Sequence, residues 1–307
     1  MAQQSSATLE AVGKEAARPR QGAFAGLRLF IRKQPVGAVA GLLIGIIVFA
    51  GVFANFVATT DPTAQTMRYA LKPPGTVSTD GFWYILGTDA LGRDVFSRLV
   101  YGARISLAVG AASVIIGTVG GMLLGMVSGY RRGKMDMIVQ RITDAMQAIP
   151  TLILAMMLVA VLGKALWVTA VAIGITQIPR ANRIIRSNNL SVVQEPYIDA
   201  ARAIGARETR IVLQHIMPNI MATALIVFST SIGGAIIVES TLSFLGLAAP
   251  PPLATWGGML TIQGRQYMLA APWLLIEPAI ALSITVLCFN FLGDSIRDAL
   301  DPRLRGR

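Results

Sequence analysis

The sequence predicts an all-α, polytopic membrane protein with six transmembrane helices and both termini on the cytoplasmic side. Three observations carry that prediction. Of the 307 residues, 54% are hydrophobic and only 14% charged, against about 25% charged in soluble domains. The charges are clustered, which leaves uncharged runs able to cross a hydrocarbon core roughly 30 Å thick, a task for about 17 to 25 helical residues. The basic residues that flank those runs are shared unevenly between the two sides, as a positive-inside topology requires.

Residues 1–35 form a polar tail with Lys14, Arg18, Arg20, Arg28, Arg32 and Lys33, and residues 36–58 are uncharged and apolar. This first run exceeds the apolar part of a signal peptide, about 7 to 15 residues, so an uncleaved anchor is expected. Residues 59–104 mix Asp, Arg, Pro and Gly and are expected in water outside, where Pro73, Pro74 and Gly75 exclude one long helix. A membrane core of residues 105–293 follows, opening with a second span at 105–129. In that span Ser113, Gly117, Gly121, Gly125 and Gly129 recur every fourth residue. Such a ridge lets another helix pack closely, and a backbone-lined solute path is the alternative reading.

Residues 148–179 in one piece would make a helix of about 48 Å, too long for a single crossing. Arg131, Arg132, Lys134 and Arg141 precede this stretch and Arg180, Arg183 and Arg186 follow it. Both ends therefore prefer the same side, and a hairpin of two spans turning at Gly163 and Lys164 is expected. Residues 222–238 and 273–291 complete the six, separated by an outer loop at 239–271, and residues 294–307 form a cytoplasmic tail. With the N-terminus inside, only Arg68, Lys72, Arg93, Arg98, Arg104, Lys164 and Arg265 of the 27 basic residues lie outside.

A net charge of +11 and a pI near 10.5 would suggest nucleic acid in a soluble protein. Here the basic residues flank apolar segments and form no stripe, so no nucleic-acid partner is expected. Cys288 and His215 are the only residues of their types, which excludes an internal disulfide and a multi-cysteine metal site. His215 is expected as a polar helix residue, since a zinc site needs three or four ligands and no acidic cluster surrounds it. No phosphate-cradling loop exists, because Gly133-Lys134 is followed by Met135 and Ser128 stands where the first glycine should be. No catalytic residue is expected. Glu239 and Glu277 lie near span ends and are candidates either for facing a translocation path or for interfacial packing.

The inner loop, residues 180–219, contains Glu195-Pro-Tyr-Ile-Asp-Ala-Ala-Arg-Ala-Ile-Gly-Ala. Pro196 suits a first helical position, Gly205 a helix end, and Pro218 a stop to a second piece, so two short helices with a glycine bend are expected. Ala200 and Ala201 leave a low surface on which another protein can sit. Asp199, Ala200, Ala201, Gly205 and Pro218 fall at the positions by which this loop resembles the coupling loop of ATP-binding-cassette importer permeases. Asp199 stands for that family's Glu and Met217 for its Leu. The resemblance implies that the loop, which also holds His215, inserts into a groove of an ATPase subunit. Without it, the loop reads as an amphipathic element resting on lipid headgroups.

Outside, Gly87, Thr88, Asp89, Gly92, Arg93, Asp94, Ser97 and Arg98 lie within twelve residues. Their charges can pair locally in a structural collar or present a polar surface to a solute-delivering partner. The order Gly-Thr-Asp-x-x-Gly-Arg-Asp is similar to the second permease subunit of the dipeptide, oligopeptide and nickel importers. Ser243-Phe-Leu-Gly-Leu, Pro250-Pro-Pro, Trp256-Gly-Gly-Met-Leu and Asn290-Phe-Leu-Gly-Asp also match that subunit. The resemblance implies a pore subunit in the bacterial inner membrane that imports dipeptides or oligopeptides by alternating access. It also implies a homologous second permease, two ATP-binding subunits that carry ATP and Mg, a periplasmic solute-binding protein and surrounding membrane lipid, with no cofactor on this chain. Nickel chelates and glutathione-like peptides are the alternative solutes. An intramembrane enzyme is the remote alternative, weakened by the single histidine, and a passive channel would not need the coupling loop.

Overall fold

The computed structural model describes residue 28 and residues 30–248, 250–261 and 266–300. Of the basic residues used for topology, Lys14, Arg18, Arg20, Arg265, Arg303, Arg305 and Arg307 lie outside the described residues. The architecture is helical, as the composition predicts.

Helix α1, Pro35–Val52, begins on a proline, whose fixed φ suits the first helical turn, and α2, Ala54–Val57, continues it after a break at Phe53. The open carbonyl end of α1 is met by Arg104, whose Nε and Nη2 donate to Gly51 O and Val52 O, each at 2.8 Å. A cation there also complements the helix dipole. A small antiparallel pair in the outer segment, β1 Thr76–Val77 with β2 Trp83–Tyr84, sets Thr76 opposite Tyr84.

Helix α3, Val95–Arg131, starts ten residues before the span expected at 105. Asp94 explains the shift: it is the N-cap, its Oδ2 accepting from Ser97 N at 2.9 Å. The 37 residues of α3 run about 55 Å, well beyond a hydrocarbon core, so its outer turns stand in the collar described below.

Helices α4, Gly133–Ala148, and α5, Thr151–Leu162, meet at an angle of 96° around Pro150. Gly163, at φ +95°, turns the chain into α6, Leu166–Val192. The turn falls at the expected place, but the 12 residues of α5 cover only about 18 Å, because the helix starts after the bend at Pro150 and stops at Gly163. The inner loop holds α7, Pro196–Ala203, and then α8, Glu208–Phe244, which opens through a π turn at Ile211–Ile216. Pro218 does not stop a helix, contrary to expectation: it lies in the first turn of the α-helical part of α8. The junction with the wider π turn offers a place for a residue without an N–H. Helix α9, Trp256–Met259, and α10, Trp273–Leu300, complete the described chain. By length and composition α1, α3, α8 and α10 can each cross a membrane, and the bent α4–α5 pair adds a fifth candidate.

The most extensive helix pair is α3 with α6, and the glycine ridge lies on its seam. A Cβ added at Gly117 would sit 2.6 Å from Gln177 Cβ, at Gly121 2.7 Å from Asn182 N, and at Gly125 3.0 Å from Arg186 N. At Gly129 it would meet Asn189 Nδ2 at 2.7 Å. That amide donates to Met126 O at 2.8 Å and Gly125 O at 3.2 Å. Around this seam Val109, Val114, Val159, Ile173 and Leu242 join α3, α5, α6 and α8 in the central core. Helix α10 closes the bundle by lying on α8 and α1. Exposed Leu42, Ile46, Phe49, Leu123 and Leu287 mark the outward apolar surface, as lipid contact demands.

Gly121→Leu is expected to force α3 from α6, costing about 1 to 3 kcal/mol by overpacking, and to lower the thermal midpoint of the detergent-solubilised protein. Gly45→Leu, with nothing within 4 Å of its added Cβ, serves as the lipid-facing comparison and should leave the midpoint in place.

Candidate functional site

The inner loop is a platform tied to the bundle from below. Ile198 and Ala201 of α7 are buried with Met126 of α3, Ile185 of α6 and Ile211, Ile216 and Ile220 of α8. Helix α7 ends where Gly205 N donates to Arg202 O at 2.9 Å and Ala206 N to Ala201 O at 3.1 Å. This closing pattern needs the left-handed φ of +79° at Gly205. Asp199 and Ala200 face outward, while Ala201 does not. The expected two-alanine surface is therefore a single exposed alanine, because successive helical residues diverge by about 100°. Asp199 pairs with Arg202 at 3.0 Å on the exposed face. His215 is half-buried, 6.3 Å from the Tyr197 ring, and Asn219 Nδ2 joins them by donating to His215 O and Tyr197 OH. Pro218 is exposed one turn further along. The apex of the platform is apolar: Ile204 is 85% exposed and Leu213 58%.

The outer motif forms a buried knot and not a polar surface. Asp89 Oδ1 accepts from Leu91 N and Arg93 N, and its Oδ2 meets Arg93 Nε at 2.6 Å and Arg98 Nε at 3.6 Å. Arg98 Nη1 also donates to Pro62 O. Asp94 Oδ2 accepts from the hydroxyls of Thr59 and Ser97, and Ser97 Oγ accepts from Thr59 N and Thr60 N. This fastens the end of the first span to the start of α3. Thr88 Oγ1 accepts from Lys72 N and donates to Tyr69 O. Gly87 and Gly92 lie at φ +73° and +71°. Any Cβ at Gly87 would press on Lys72 O at 2.6 Å, and one at Gly92 on Thr66 O. Burial, followed by the Asp94 charge, holds the Tyr84 phenol above its ordinary pKa, so it stays neutral beside this knot.

Two tryptophans, one of them in the Trp256-Gly-Gly-Met-Leu segment and neither expected at the site, lock the knot onto distant elements. Trp256 Nε1 donates to Leu99 O at 3.0 Å and Trp273 Nε1 to Thr88 O at 3.3 Å. The signal was present in Gly102, which Trp256 covers so closely that a Cβ would lie 2.8 Å from the indole.

Glu239 is fully buried inside α8, where Ser243 Oγ donates to its Oε1 at 2.7 Å and Ser240 Oγ to Oε2 at 3.3 Å. It is not at a wet loop edge as the sequence suggested, because α8 extends to Phe244. Glu277 is half-buried in the first turns of α10, its Oε2 enclosed without a hydrogen bond. Neither lines the cavity at the α4–α5 corner. That cavity, of about 470 Å³, opens between α3, the α4–α5 corner, α6 and α8, and its polar wall includes Thr118, Gln147, Gln177, Arg180 and Ser231. Among the described residues no group of three or more His, Cys, Asp or Glu could hold a metal ion.

The family of binding-protein-dependent transport system inner membrane components matches residues 121–306. The chain belongs to that family. This permease is 41% identical to the glutathione transport system permease protein GsiD of Pectobacterium atrosepticum, over 91% of this chain and 90% of the relative. It is 38% identical to the di/tripeptide transport system permease protein DppC of Pseudomonas aeruginosa, over 88% and 89% of the two chains. Among solved structures the fold is similar to the MetNI methionine ABC transporter in inward-facing conformations. There the TM-score is 0.54 at 21% identity, over 66% of this chain and 96% of that one. The permease is an inner-membrane protein of the ABC transporter class, and its relatives are permease subunits.

Replacing Asp89 by Ala removes the carboxylate that Arg93 and Arg98 share in a buried site. Breaking such a pair costs about 3 to 5 kcal/mol, against about 1 kcal/mol for the lost cap in Asp94→Ala. The yield of folded, monodisperse permease in detergent should fall in that order, with Asp89→Ala well below Asp94→Ala.

Proposed function

We propose that this permease is one half of the pore of an ATP-driven importer that moves short peptides, glutathione-like tripeptides included, from periplasm to cytoplasm. It crosses the membrane six times with both termini cytoplasmic, the bent α4–α5 pair and α6 supplying the middle two crossings. It pairs with a homologous permease. Two ATP-binding subunits hold ATP and Mg and carry out hydrolysis, and a periplasmic binding protein delivers the solute. The outer knot serves as a collar, since its motif side chains are buried. Docking of the binding protein then falls to exposed residues around it, such as Trp83.

One observation carries this reading: the apolar apex of the inner platform. Ile204 and Leu213 stand in water on an element whose other face is fixed to α3, α6 and α8. Two large apolar side chains this exposed, on an element whose other face is fixed, offer a surface for another protein to cover. A cover seated there can move three membrane helices together, through Ile198 on the platform and Met126, Ile185 and Ile220 beneath it. The platform is only the lever. The bias between pore states comes from nucleotide binding more tightly to one arrangement of the ATPases than to the other.

In the complex reconstituted with its ATPases and binding protein, Ala200→Glu and Ile204→Asp are expected to abolish solute-stimulated ATP hydrolysis. Both positions are exposed, so membrane insertion and thermal midpoint should be retained. Coupled hydrolysis at the normal rate in both variants would reject the assignment.

A further inference from the structure

Helix α6 presents three arginines beyond Pro179, at positions 180, 183 and 186. Helix α4 answers two of them. Arg183 Nη2 donates to Asp144 Oδ1 at 2.8 Å, and Arg186 grips Asp136 with two prongs at 2.6 and 2.5 Å. Beyond Asp144 the chain reads Ala-Met-Gln-Ala-Ile-Pro-Thr and offers no third acid. Arg180 has no ion pair and no side-chain hydrogen bond to another described residue. It opens instead onto the 470 Å³ cavity, whose lining includes no Asp or Glu.

The same wall holds a second unmatched donor. Gln177, one turn before Arg180, has its Nε2 enclosed without a hydrogen-bond partner. On the facing side, Thr230 Oγ1 donates to Ile226 O of its own helix, and no hydrogen bond joins it to that amide. A cavity in which the sole charge is a guanidinium and a buried amide N–H is unspent attracts an oxygen anion. Guanidinium and carboxylate match as a planar, two-pronged pair. The volume lies in the range of about 300 to 1,000 Å³ typical of small-molecule sites.

We propose that Arg180 and Gln177 form a carboxylate station in the translocation cavity, which takes the C-terminal carboxylate of a peptide in transit. The inference rests on the importer reading and adds a chemical requirement to it: a transported peptide carries a free carboxylate. Because the charge enters a low-dielectric layer, a fixed cation offsets part of its desolvation. The exposed position of Arg180 keeps the pair wet and weak enough for release, as conduction demands.

The test uses the complete importer in liposomes and compares uptake of a tripeptide with that of its C-terminal amide. Arg180→Gln is expected to lower uptake of the free acid by about tenfold, the worth of one charge-assisted hydrogen bond. Amide uptake should stay within about twofold, and Arg180→Lys should restore much of the acid uptake. Equal loss of both peptides, as a lipid or subunit contact at Arg180 would give, overturns the proposal, as does no loss. A wild-type complex that imports neither peptide overturns the importer reading instead. An independent arm needs no transport: in a Cys288→Ser background, Thr230→Cys should react faster with an anionic than with a cationic methanethiosulfonate. Arg180→Gln should erase that preference, and absence of any preference in its presence sinks the carboxylate station.

Discussion

Hydrocarbon tails give one transmembrane helix no hydrophobic reason to join another, so the bundle depends on how closely the backbones of α3 and α6 approach. Close van der Waals packing is the main attraction left in that medium. Gly117, Gly121 and Gly125 bring α3 within touching distance of the α6 main chain, and Gly174 returns the favour, a Cβ there meeting Ser113 O at 3.0 Å. At the inner end Asn189 adds direct hydrogen bonds to the α3 carbonyls. The two helices therefore behave as one stiff beam. Platform residues rest on its inner end through Met126 and Ile185, and the knot grows from its outer end at Asp94. The seam thus links the platform to the knot, with Pro179 lying inside α6 along the way.

Charge placement follows one rule across the chain. In the knot, where water is excluded, a single aspartate is shared by two arginines and two backbone amides. At the inner rim the α4–α6 pairs sit partly in solvent, where they position helices more than they stabilise them. Glu239 is buried with hydroxyl partners alone. Arg180 has no such acidic partner among the described residues, and it opens onto the cavity of about 470 Å³.

Composition and charge spacing made the helical membrane architecture, the Gly163 turn and the close-packing ridge legible in the sequence. The start of α3 was not, because Arg98 and Arg104 read as marks of water. In the fold one is buried against Asp89 and the other caps α1. Pro218 reads as a terminator by its own chemistry, and only the π turn before it explains a helix that continues. Glu239 looked wet because the apolar run ends beside it, whereas the helix carries on to a glycine turn at Gly246. Arg180 was visible merely as one of several topology charges. Its isolation depends on how many acids α4 brings into register, which is a matter of three-dimensional pairing.

The tryptophan bonds across the outer face carry a consequence for biogenesis. Leu99 and Thr88 are made early, yet their partners Trp256 and Trp273 follow 157 and 185 residues later. A ribosome adding about 5 to 20 residues per second needs tens of seconds or less to cover that gap. Throughout it the nascent chain holds an anchored first span, a rigid second one and an outer segment still missing its clasp. The helix that carries Trp273 thus seals a loop made far earlier, so a chain stopped short of α10 is left with that loop unclasped.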